Sequence, residues 1–142
     1  MVTVNYLSCS PSHAFVANPP GRQGQVVDRP WVEVVAHWAG HQHKVWCLVD
    51  TGADDTMLDL GAAVMLGINH LALPSRSVRG VAGRSTPFGL QQGMRLVFAG
   101  ASVPNNDVLF GPVSLPLLGR SALLNAANGV KVGFETAAWY HT

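Results

Sequence analysis

From Val26 to Ala39 the apolar positions Val26, Val27, Trp31, Val32, Val34, Val35 and Trp38 are spaced as in a half-buried β-strand. Gly40-His41-Gln42 predicts a hairpin turn, and Lys44 to Asp50 a returning strand that closes on Leu48-Val49-Asp50. Strand character resumes from Thr56 to Leu60, and Gly61 to Gly67 reads as a short helix stopped by glycine. Residues 69–77 predict an irregular link around Pro74, and Val78 to Pro87 a hairpin with a tip of small residues. Gly93 to Ala99, Val108 to Phe110 and Val130 to Glu135 read as further strands. Ser121 to Ala127 reads as a second short helix, ended by Asn128-Gly129. The expectation is an all-β domain over residues 26–135 with one or two short helices. There is no βαβ rhythm, no internal repeat and no glycine-rich phosphate loop. Residues 1–25, with Asn18-Pro19-Pro20-Gly21 and Gln23-Gly24-Gln25, have the composition of a flexible extension, though Val2 to Leu7 has the character to add an edge strand. Residues 136–142 form a short tail.

Composition narrows the function classes. The chain has 142 residues, enough for one well-filled core, and is 48% hydrophobic and only 12% charged, which excludes a disordered or polyelectrolyte protein. A net charge of +1 without any Lys/Arg run argues against a nucleic-acid partner. Neither a basic-then-apolar leader nor an apolar run of membrane-spanning length is visible, so a soluble domain is expected, of no assigned compartment. Cys9 and Cys47 have no framework spacing, and Cys47, inside an apolar strand, reads as a small core residue. His37, His41 and His43 surround the first hairpin turn without an acidic or cysteine partner at supporting spacing. They read as a solvated hairpin end, so neither a metal nor another cofactor is expected.

One stretch carries chemistry: Leu48-Val49-Asp50-Thr51-Gly52-Ala53-Asp54-Asp55-Thr56. An apolar strand is a costly place for an isolated charge, so Asp50 is either neutralised by partners or used. A plain turn after a strand is the simpler reading, since Asp, Thr and Gly all form turns. Two further features follow in order: the small-residue segment Gly80-Val81-Ala82-Gly83, and Pro116-Leu117-Leu118-Gly119-Arg120 leading into the second helix.

Together the three resemble the retropepsins, the single-domain aspartic proteases of retroviruses, retrotransposons and their cellular and bacterial relatives, over about Val26 to Glu135. Ser121 departs from the Asp or Asn usual after Gly-Arg in retroviral members, but can still cap the helix. The resemblance implies an acid-protease barrel whose single-lobe chain forms a homodimer, bringing two copies of Asp50 together to activate water between them. Thr51 would interlock with its symmetry mate and Gly52 would let backbone approach backbone and hold substrate. Ala53 stands where pepsin-like enzymes have serine; one hydrogen bond fewer to the ionised pair implies a pH optimum less acidic than pepsin's. Asp54 and Arg120 match positions that form a partly buried ion pair beneath the loop, with Gly119 as structural support. Ala53, Asp54, Asp55 and Leu118 would line the substrate cleft, and Gly80, Val81, Ala82 and Gly83 would form a flap over it. The implied substrate is an extended polypeptide with apolar side chains flanking the bond, including Tyr6-Leu7 and Phe15-Val16 of the chain's own N-terminal arm. The alternative is a retropepsin-like dimerisation or protein-binding domain with weak or no catalysis, which the intact Asp50-Thr51-Gly52 disfavours. An unrelated β-barrel with incidental motifs would leave the ordered signatures unexplained.

Overall fold

The computed structural model describes residues 2–7, 29–79, 83, 85–127 and 132–135. Nine strands run in chain order: β1 (Val2–Leu7), β2 (Arg29–Trp38), β3 (His41–Val49), β4 (Thr56–Leu58), β5 (Ser75–Arg79), β6 (Ser85–Phe98), β7 (Ala101–Phe110), β8 (Leu117–Leu118) and β9 (Val132–Glu135). Helix α1 (Leu60–Met65) and a 3-10 turn (His70–Ala72) fall between β4 and β5, and α2 (Arg120–Ala127) follows β8. The sheet order is β5-β6-β7-β4-β8-β3-β2-β1-β9, and an additional β6–β2 pairing closes the six strands from β6 to β2 into a ring. The all-β expectation with two short helices therefore holds. The apolar piece Val2–Leu7 does add a strand, but not at an edge: it lies between β2, to which it is antiparallel, and β9, to which it is parallel.

Alternation is what puts the core inside that ring. In β2, Val32, Val34 and Ala36 are buried while Glu33 and Val35 are only partly covered, the period-two pattern of a one-sided strand. They pack with Cys47 and Val49 of β3, Leu96 and Phe98 of β6, Val108 and Phe110 of β7, and Ala122 and Ala126 of α2. The β2–β3 turn is Ala39-Gly40, both at positive φ (47° and 83°), one position earlier than the glycine-led reading placed it. His41 already lies in β3. His37 is paired with Gln42, so it shares a face with that residue and not with His41 or His43.

Local chemistry sets the helix ends. Asp59 caps α1 by accepting the Ala62 N–H at 2.8 Å, which starts the helix one residue ahead of the Gly61 expectation. At its other end Gly67 donates to the Val64 carbonyl and Ile68 to the Ala63 carbonyl, a Schellman closure with buried Ile68 behind it. The link over 69–77 is more regular than its sequence indicates. Ser75–Arg79 is an antiparallel strand on β6, with only Val78 partly covered, so it lacks the apolar alternation that marks other strands. β6 and β7 are likewise longer than their apolar segments. They pair through a register shift at Gln91 to Met94, where buried Asn106 donates to the carbonyls of Met94 and Val103.

Cys47 is fully buried, as its strand position predicts. Burial, and secondarily the negative charge of Asp59, push its thiol well above the ordinary value of 9.0. Above that pH the unfolded chain releases the thiol proton while the native chain keeps it. Native stability should then fall by up to about 1.4 kcal/mol per pH unit from this group. Denaturant midpoints measured at about pH 8 and pH 10 should drop more steeply for the wild type than for Cys47→Ala; equal slopes would exclude the effect.

Candidate active site

The site follows from one topological fact. β3 and β4 are consecutive in sequence but not neighbours in the sheet, because β8 lies between them. Residues 50–55 therefore cross the end of β8, where the chain turns into α2. Leu48 and Val49 pair in parallel with Leu117 and Leu118. The Asp50 N–H donates to the Leu118 carbonyl at 3.0 Å, which sets Asp50 at the strand's mouth.

Within the loop, one Asp50 carboxylate oxygen accepts the Gly52 N–H at 2.9 Å and the Asp50 carbonyl accepts the Ala53 N–H at 3.2 Å. This is an Asx-type turn around the carboxylate. Across the loop, the Arg120 N–H donates to the Ala53 carbonyl at 2.7 Å and the Ser121 N–H to the Asp54 carbonyl at 3.0 Å. The first N–H groups of a helix have no partner within it, and here the loop carbonyls supply one to each of the first two. The Gly119 N–H donates to the hydroxyl of fully buried Thr56 at 3.1 Å. A side chain on Gly119 would begin 2.3 Å from the Asp55 carbonyl, so the two signature segments touch backbone to backbone. Helix α2 starts at Arg120, so Ser121 lies inside its first turn and does not cap it.

Of the three loop carboxylates, two have arginine partners. Asp54 pairs with Arg120, and Asp55 with Arg76 of β5 at 3.3 Å. Asp50 has no arginine partner among the described residues; it is half-buried beside exposed Thr51 and Gly52. The Asp54–Arg120 pair is as expected in partners but not in burial, since the two side chains are 75% and 56% exposed in the single chain. Solvent screening limits such a pair to about 0–1 kcal/mol. A double-mutant cycle with Asp54→Asn and Arg120→Gln should return a coupling below about 1 kcal/mol by denaturant unfolding; a coupling of about 3 kcal/mol would mean that assembly buries the pair.

Leu118 needs correction as a cleft residue. It is fully buried in the core, and only its carbonyl serves the loop, whereas Leu117 on the opposite side of β8 is partly exposed. Gly80, Val81 and Ala82 lie outside the described residues; Gly83 is exposed at a bend with φ +76°. Two supporting residues escape sequence reading. Thr56 looks like any strand threonine until Gly119 arrives from 63 positions away. Arg76 lies in a stretch with no apolar period to mark it as a strand. Among the described residues no group of three or more His, Cys, Asp or Glu side chains is placed to hold a metal ion. No described helix is long and apolar enough to cross a membrane.

A family model described as aspartyl protease matches residues 34–122, well over half of the chain. That span runs from the middle of β2 to the first turn of α2 and includes the whole loop, β5, β6 and Gly119-Arg120. Comparison with curated proteins finds no match.

Proposed function

The chain belongs to the aspartyl protease family of the retropepsin-like clan, and from that premise we propose that it is an aspartic endopeptidase active as a homodimer, with one Asp50 from each chain. The observation that carries the reading is the loop itself. It ties Asp50 to Leu118 and Gly52 and the following Ala53 and Asp54 to the α2 N-terminus, with Asp50 half-buried beside exposed Thr51 and Gly52. A single carboxylate at such a surface is half of an acid–base pair. Two of them at close range cannot both be ionised, so they share one proton. The ionised member takes a proton from water, whose oxygen attacks the peptide carbonyl carbon. The protonated member donates to the carbonyl oxygen. Collapse of the tetrahedral intermediate breaks the C–N bond as the departing amine takes up a proton.

The other residues acquire roles around that step. Thr51 of each chain locks against its mate, and the Gly52 carbonyl receives the substrate backbone. Asp54 and Arg120 with Gly119 hold the loop, while Ala53 and Asp55 border the cleft. The 80–83 segment closes over an extended polypeptide bound as an added strand. Cleavage within the N-terminal arm, at Tyr6-Leu7 or Phe15-Val16, is part of the reading. The hydrogen-bonded setting of Asp50 favours this over a domain used for dimerisation or protein binding alone, which needs no carboxylate fixed on such a loop.

Incubation of the purified chain with a peptide library, followed by mass spectrometry, tests the proposal. Cleavage that a peptidomimetic aspartic-protease inhibitor blocks, from a species sedimenting as a dimer, is the expected result. A protein that never cleaves any peptide would leave only the binding-domain reading.

A further inference from the structure

The hairpin of β5 and β6 carries a charge asymmetry that an apolar-substrate protease does not need. From position 60 to 106 the chain has no Asp or Glu, yet it holds Arg76, Arg79, Arg84 and Arg95. In the β5–β6 register Arg76 lies opposite Phe88 and Val78 opposite Thr86, so these four share one face, while Arg79 and Ser77 project from the other. The Arg76 face turns toward the catalytic loop, since its guanidinium meets Asp55 at 3.3 Å.

The pair is unequal. Asp55 is 23% exposed and Arg76 49%, so the guanidinium is the accessible partner. Arginine has five N–H donors, and this contact engages one nitrogen, leaving the others for a second acceptor beside the loop. Apart from Asp50, the loop presents no acid without an arginine partner to repel a substrate carboxylate. Asp54 is matched by Arg120 and Asp55 by Arg76, and the two Asp50 carboxylates of the proposed dimer share a proton. Arg79, exposed on the hairpin's other face, has no acidic partner among the described residues.

We propose that Arg76 selects substrates with an acidic side chain near the scissile bond, Asp55 holding the guanidinium in place while a substrate carboxylate takes its open donors. The inference rests on the proteolytic reading and narrows its substrate class from apolar polypeptides to ones that also carry an acidic residue at one subsite. Electrostatic attraction between the hairpin and such a peptide also speeds encounter and weakens with salt.

Binding to the Asp50→Asn protein separates this selection from catalysis. Fluorescein-labelled extended peptides carrying Glu, Gln or Lys at each position in turn are followed by anisotropy, at low salt and at about 0.5 M salt. At one position the Glu peptide should bind about tenfold more tightly than its Lys counterpart. Arg76→Gln should erase that preference and Arg76→Glu invert it, with circular dichroism showing an intact fold for both exposed-site variants. Equal binding of the Glu and Lys peptides, a Lys preference, or a preference that survives Arg76→Gln would overturn the proposal. So would an oligonucleotide of equal charge binding as tightly as the Glu peptide, which would mark an unspecific anion surface. Hydrolysis by the wild type is scored separately. Cleavage without charge preference sinks the Arg76 role alone, whereas charge-selective binding without any cleavage sinks the protease reading alone.

Discussion

Asp50→Asn should lower kcat for peptide hydrolysis by about 10⁴-fold, the upper end of what a positioned acid–base group supplies, because the proposed homodimer would lose both carboxylates at once. The fold should survive. Asn keeps a side-chain oxygen where the Asp50 carboxylate accepts the Gly52 N–H, and the strand-end bond from the Asp50 N–H to Leu118 belongs to the backbone. Thermal unfolding and sedimentation are therefore expected to match the wild type. Mixing the two proteins tests how many chains make a site. After subunit exchange, an equimolar mixture holds about one quarter wild-type homodimers. Its activity should fall to about that fraction of an undiluted control, given dimers that persist at the assay concentration. If each chain worked alone, half would remain. Residual activity of one half would remove the shared-carboxylate mechanism even if Asp50 proved essential.

Gly119→Ala should damage stability and activity together. The added carbon would lie 2.3 Å from the carbonyl carbon and oxygen of Asp55 and 2.9 Å from the Thr56 nitrogen. These are backbone atoms, which cannot swing aside as a long side chain can, so the loop or the start of α2 must move. Overpacking of this kind costs about 1–3 kcal/mol, a fall in Tm of roughly 5–10 °C for a domain of this size. The activity loss should be larger than the stability loss explains. Displacing the loop shifts Asp50, and a misplacement of about 1 Å at reacting groups costs on the order of 10²-fold. Gly61→Ala is the control. Its new carbon would meet nothing closer than the Asp59 carboxylate at 3.7 Å, inside a helix where alanine is the better residue. It should leave Tm and kcat unchanged or raise Tm slightly. Equal behaviour of the two variants would show that the Gly119 contact does not position the loop.

Strands with a one-sided apolar pattern were legible from residue order, as β2 and β3 show. So were the two helices, the first with a stop at Gly67 that carries its own chemistry. What escaped was structure held by partners rather than by period. β5 has only a partly covered Val78 to mark it as a strand, and it exists because β6 offers it a ladder. The outer half of β6 and most of β7 escaped for the same reason, their register broken where Gly93 and Asn106 accommodate a bulge. Leu118 illustrates a subtler limit: in a two-residue strand, a one-position difference decides which leucine enters the core and which faces out.

Asp50-Thr51-Gly52 and Leu118-Gly119-Arg120, with the small-residue segment between them, pointed to the family and to Asp50 as the candidate carboxylate, because each signature is a short string whose residue types are constrained locally by a tight turn and a helix start. Tertiary structure alone decided how those strings become a site. Insertion of β8 between β3 and β4 brings positions nearly seventy residues apart into backbone contact, and the first two N–H groups of α2 find their acceptors in the loop. It also decided that Asp54 and Arg120 meet in solvent, and that Arg76 reaches Asp55 from a strand with little apolar signature. Such pairings depend on which strands share an edge, and that is settled by the energy of the whole sheet rather than by any local pattern.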